Sequence, residues 1–143
     1  MQLDFWTGFS KPLESSSFGA QQPTRNFCYL PVGTGHAKIS TRDAKIVLTA
    51  PTGTGGLACK LSVSPMIYQS LRNERATIEA ALGFRGLQWG STKSATRIYR
   101  ELSGGIENRS AWPEAFEWLL DSAEKFKEVF APRIRQASLF GPP

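Results

Sequence analysis

The chain has little with which to catalyse. Among 143 residues it holds one histidine, His36, and two cysteines, Cys28 and Cys59. A Ser-His-Asp or Cys-His set needs a histidine oriented by a nameable partner, and none stands out around His36. Two lone cysteines and one histidine, with no Cys-x-x-Cys, make no four-ligand zinc site without carboxylates, and no such cluster is evident. In strand-like segments these cysteines read as reduced core residues. No run of about 20 apolar residues exists, so no membrane span is expected. Asp4 and Lys11 interrupt any early apolar run of the kind a signal peptide needs, which makes the cytoplasm the expected compartment. Internal repeats and low-complexity blocks are also missing.

Acid is in shorter supply than base: 12 acidic residues against 17 basic, a net charge of +5. The excess is modest, but it favours approach to polyanions such as nucleic acid. A metal-dependent nuclease would want carboxylates converging on a strand pair, commonly with an acidic-x-lysine step. Only Asp43 and Glu101 lie near expected strands, and no Glu-x-Lys follows either; they read as a turn residue and an edge charge. The remaining acids fall mostly on helix faces, where solvation explains them. No cofactor is expected, and the chain reads as a non-enzyme.

What is present is a full hydrophobic complement, 41% of residues, with 20% charged, enough for one soluble globular domain with one core. Apolar groups at Phe5, Trp6, Phe9 and Leu13 predict an amphipathic first helix ending in a loop at 15–19. Arg25 to Val32 reads as a short strand, with Pro31 arguing for an edge or early stop. Ala37–Arg42 and Lys45–Ala50 flank Asp43-Ala44 as a hairpin, and Leu57, Cys59, Leu61 and Val63 alternate as a fourth strand. Ser64-Pro65 supplies a capping hydroxyl and an N1 proline for a middle helix. Ile67, Leu71, Ile78 and Leu82 mark that helix's buried face, Arg75 and Glu79 pair one turn apart, and Gly83 ends it. Leu87–Trp89 and Ala95–Leu102 are two more expected strands. Trp112, Phe116, Leu119, Ala123, Phe126 and Phe130 build a continuous stripe on a long last helix, which Pro132 should end near Ala131. The order predicts an α+β domain over residues 1–134. In it, an antiparallel sheet of about five to six strands is covered by an N-terminal, a middle and a long C-terminal helix.

Ala50-Pro51-Thr52-Gly53-Thr54-Gly55-Gly56-Leu57 looks like a phosphate loop and fails where the chemistry is done. The positions that need lysine for the phosphates and a hydroxyl for Mg²⁺ are Gly56 and Leu57. The following residues alternate like a strand, whereas a phosphate loop opens a helix. A glycine-rich hairpin connection is expected instead.

Asp4-Phe5-Trp6 near the start is joined by Arg75, Ile78-Glu79, Leu82-Gly83, Trp89, Ala95-Thr96-Arg97-Ile98, Ile106-Glu107-Asn108-Arg109, Trp112-Pro113-Glu114, Trp118-Leu119, Phe126 and Arg133-Ile134. In these the chain resembles a bacterial family known as domain of unknown function 4268, most strongly over residues 75–134. Residues 51–56 depart from the pattern, where a tighter strand-to-helix passage is expected. The family has no established activity. Its members resemble stand-alone small proteins or modules attached to restriction-endonuclease-like domains, a setting that implies DNA metabolism or defence by association. The polar members of the shared pattern, Arg97, Arg109 and Arg133, are the candidate nucleic-acid-binding residues. Arg97 could project from an open sheet face to a phosphate, or pair with Glu79 or Glu101 and order the fold. Arg109 reads equally as a ligand contact and a structural clamp, and Trp112 and Trp118 read as core.

Gln136-Ala137-Ser138-Leu139-Phe140 looks like the pentapeptide by which bacterial proteins dock on the replication sliding clamp, with Ala137 the departing position. In a tail at 135–143, Leu139 and Phe140 would fill an apolar pocket, while Gln136 fixes register and Ser138 completes the motif. The competing reading has Leu139 and Phe140 close the core beside the last helix. The leading expectation is a non-catalytic accessory module of bacterial or phage DNA metabolism, with DNA and the sliding clamp as partners. The alternative is a protein-interaction or regulatory module of a restriction or defence system without DNA contact. A small nuclease-like enzyme using Arg97 with Glu101 or Asp43 comes third. Oligomeric state is not legible.

Overall fold

A computed structural model describes residues 2–16, 18, 27–31, 44–50, 57–83, 87–91, 96–102 and 109–140. The α+β expectation holds. Four α-helices, α1 (Gln2–Glu14), α2 (Pro65–Arg72), α3 (Arg75–Leu82) and α4 (Trp112–Phe140), accompany strands β1 (Phe27–Pro31), β2 (Ala44–Thr49), β3 (Leu57–Val63), β4 (Gln88–Ser91) and β5 (Thr96–Leu102). The strands form one antiparallel sheet in the order β1-β2-β3-β5-β4.

Period-two alternation sets the sheet's two faces. Ala44, Ile46 and Leu48 of β2, Leu57, Cys59, Leu61 and Val63 of β3, and Ile98 of β5 are buried in one core with the helices. Thr96 shares this face, and its hydroxyl is satisfied by donating to the Val63 carbonyl. α4 packs across β2 and β3; α1, α2 and α3 pack on α4, and α2 also reaches β5. Phe5, Trp6, Phe9 and Leu13 of α1 are fully buried, as the spacing predicts. α1 comes so close to α4 that a methyl on Gly8 would lie 2.9 Å from Cζ of Phe116.

The middle helix starts and stops where expected. Ser64 Oγ accepts from the Ile67 amide at 3.4 Å, Pro65 follows, and Gly83 closes the segment at φ 69°. It is not one helix, however. Asn73 and Glu74 interrupt it: the Glu74 amide bonds the Leu71 carbonyl three residues back, tightening the chain into a turn before α3. Asparagine competes poorly for a helix interior, and the break still leaves Ile67, Leu71, Ile78 and Leu82 buried.

Pro132 does not end α4, which runs on to Phe140 with the proline inside it. Phe130 and Ile134 are fully buried on either side. Beside the lost ladder bond, Arg133 Nη1 donates to the Val129 carbonyl at 2.8 Å. Packing of the apolar stripe offsets a proline cost of about 3 kcal/mol. Gln136, Ser138, Leu139 and Phe140 therefore have helical backbone where an extended tail was expected. The strand expected at 37–42 and the glycine-rich segment 51–56 lie outside the described residues. Leu57 does open a strand and not a helix, as the alternation indicates.

Candidate functional site

All the helices pack on one side of the sheet, so the alternate residues of each strand make the other face. Three rows cross it in register. Lys45, Ser62, Arg97 and Gly90 form the first; Val47, Lys60, Tyr99 and Gln88 the second; Thr49, Ala58 and Glu101 the third. No described helix lies on this face. Arg97, Glu101 and Gln88 are exposed, while Lys45, Val47, Thr49, Lys60, Ser62 and Tyr99 are half-buried beside them. Ala58 is the buried exception, a methyl group between Thr49 and Glu101.

The face is basic, with Lys45, Lys60 and Arg97 set against Glu101. Burial holds the Lys60 ammonium below the ordinary lysine range, and the neighbouring Arg97 guanidinium lowers it further. Glu101 pulls the other way. Tyr99 stands in the middle row between Lys60 and Gln88, its hydroxyl donating to Gln88 Oε1 at 3.1 Å. Beside it, Gly90 contributes no side chain: a methyl there would come no nearer to the Tyr99 ring than 4.0 Å. The arrangement offers cations and one fixed aromatic on a surface that no described helix covers, a chemistry suited to binding an anion with flat groups attached.

The arginines singled out in the sequence do not converge. Arg97 alone lies on the open face, and among the described residues it makes no salt bridge. Glu79, its suggested partner, is engaged elsewhere. It accepts from Arg75 Nε at 2.7 Å and from Trp89 Nε1 at 3.2 Å, and these bonds keep its carboxyl below the ordinary range. Arg109 is bound to Asp4 at 3.0 Å and stacks 4.8 Å over Trp112, which joins the start of α4 to α1. That geometry fits a clamp. Arg133 sits about 30 Å along α4 from that clamp at 1.5 Å per residue. It is half-buried against its own helix, with Nε buried and without a partner among the described residues.

Two residues escaped the sequence reading. Lys60 is central to the open face; its place on the polar side of an alternating strand was the available signal. Arg100 points into the helix layer, donating to Ser122 Oγ at 3.0 Å and stacking 4.7 Å from the Trp118 ring. Trp112 and Trp118, read as core, are partly buried against it. Cys59 is free and buried, its thiol pushed far above the ordinary value by burial and held protonated. The side chain of Cys28 lies outside the described residues, as do His36 and Asp43. Asp43-Ala44-Lys45 does carry an acidic-x-lysine step, and Lys45 from it stands on the open face. Among the described residues, no three of His, Cys, Asp and Glu come together as metal ligands. None of the described helices is long and apolar enough to cross a membrane.

Fold and face together define a small α+β module with a helix layer on one side of its sheet and a basic, aromatic-bearing surface on the other. The chain belongs to the family described as Domain of unknown function (DUF4268), whose model matches residues 1–134. No curated protein and no solved structure matches it.

Proposed function

We propose that the protein is a non-catalytic binding module of bacterial or phage DNA metabolism that holds nucleic acid on the face of its sheet opposite the described helices. The observation that carries this reading is the placement of Lys60 and Arg97 as diagonal neighbours on the face of the sheet opposite the described helices, with Lys45 in the same row as Arg97. Arg97 makes no salt bridge among the described residues, and each phosphate contact made by such cations releases condensed counterions. The test is a titration of labelled DNA at about 50 and 200 mM salt, for the native chain and for Lys60→Glu with Arg97→Glu. Tight, salt-dependent binding lost in the double variant supports the reading. Equal binding by both proteins refutes the site. No binding by either favours a protein-interaction module of a restriction or defence system.

Gln136, Ser138, Leu139 and Phe140 support a second contact, with a sliding clamp, on the strength of the pentapeptide alone. Docking in extended form would require the end of α4 to unwind. Calorimetric titration against a bacterial clamp, with Leu139→Ala/Phe140→Ala as control, tests this. Binding that depends on both side chains supports it, and no binding by the native chain removes it.

A further inference from the structure

The open face carries more than charge, and its shape discriminates among nucleic acids. Duplex DNA hides its bases in the stack and is read by an element that enters a groove, a helix or a two-stranded ribbon. Among the described residues nothing of that kind projects from this face: it is the surface of a sheet, with neighbouring strands about 4.8 Å apart. Yet Tyr99 lies in its middle row, between Lys60 on β3 and Gln88 on β4, half-exposed and fixed through its hydroxyl. The position opposite Arg97 on β4 is Gly90, and the Tyr99 ring lies 4.0 Å from where a methyl on it would stand. A glycine within a strand often marks the close approach of another group. A phosphate backbone alone would need Lys45, Lys60 and Arg97; it would have no use for a half-exposed aromatic among them.

We infer that the ligand is single-stranded nucleic acid, with an unpaired base stacked on Tyr99 over Gly90 and the flanking phosphates held by Lys60 and Arg97. This rests on the nucleic-acid reading above and narrows it. Lys60 lies directly across from Tyr99 in the same row, and Arg97 lies one row along β5, about 7 Å for two residues. Charge and stacking surface are therefore adjacent, as in other proteins that hold single strands without reading sequence. Glu101, at the far side of Tyr99 from Arg97, closes the cationic stripe at that end and directs the strand across the first two rows.

The experiment is fluorescence anisotropy at low salt with a 12-nucleotide oligothymidylate and a 12-base-pair duplex. It compares the native chain, Tyr99→Ala and Tyr99→Phe, each checked for an unchanged thermal transition. The single strand is expected to bind at least tenfold tighter than the duplex. Tyr99→Ala should lose on the order of tenfold for the single strand and little for the duplex, and Tyr99→Phe should keep most of the affinity. Duplex binding as tight as single-strand binding overturns the inference. So does an unaltered affinity in Tyr99→Ala while Lys60→Glu/Arg97→Glu still abolishes binding, a result that leaves the broader reading standing. Failure of both nucleic acids to bind overturns both.

Discussion

Lys60 and Arg97 stand diagonally across β3 and β5 on the face opposite the described helices, and the guanidinium adds to burial in lowering the lysine's proton affinity. Glu101, on the other diagonal, offsets part of that effect. Like charges side by side on a sheet destabilise it, and a bound anion would remove the conflict. The arrangement predicts opposite shifts from two substitutions. Arg97→Gln should raise the Lys60 pKa towards the ordinary value of 10.5, and Glu101→Gln should lower it further. Titration of the Lys60 Cε resonance by NMR reads both. Shifts of the same sign in the two variants would contradict the described contacts.

Arg109 should matter little to binding. Its bridge to Asp4 joins side chains that are 60% and 61% exposed, so the pair contributes at most about 1 kcal/mol. Arg109→Ala is expected to lower stability by no more than that, apart from lost stacking on Trp112, and to leave DNA affinity unchanged. A tenfold loss of affinity in this variant would move the interface away from the sheet.

Gly8 marks the closest approach of α1 to α4. A larger residue there must displace Phe116, whose ring is already hemmed by Phe5 at 4.9 Å and Phe9 at 5.8 Å. Gly8→Val is expected to destabilise the protein by about 1–3 kcal/mol through overpacking. Urea unfolding measures it, and a variant as stable as the native chain would mean that the two helices sit further apart.

Burial of the Cys59 thiol should make stability fall on the alkaline side. Its folded pKa is raised by burial, so its contribution is fully present below the unfolded pKa, near the ordinary 9.0, and lost as pH rises above that. The unfolded chain releases the thiol proton there and the folded chain does not. Stability should fall by about 1.4 kcal/mol per pH unit from this group alone. Denaturation at pH 8 to 10.5 should show a shallower decline in Cys59→Ala than in the native chain. Equal slopes would mean that the folded thiol ionises normally.

The helix starts and the alternating strands were legible because they obey local rules. Ser64-Pro65, Gly83 and the Leu57–Val63 alternation depend on near neighbours only. Pro132 misled because its penalty is local while burial of Phe130 and Ile134 is tertiary. The break at Asn73–Glu74 was masked by apolar spacing that runs through it. The candidate site was half legible. Arg97 alternating with Ile98 indicated an exposed position, but the register that sets Lys60 diagonal to it and opposite Tyr99 is long-range pairing. Arg109 and Arg133 were drawn in by the family pattern, and each is accounted for by contacts that order the helices.

The most direct test of the central claim is to titrate an oligonucleotide into isotope-labelled protein and follow the backbone amides by NMR. The account predicts the largest shifts at Lys45, Lys60, Ser62, Gly90, Arg97 and Tyr99, across β2, β3, β5 and β4, with α1 and the middle of α4 unmoved. Shifts concentrated on α4, or none at a concentration where the strand should saturate the face, would contradict it.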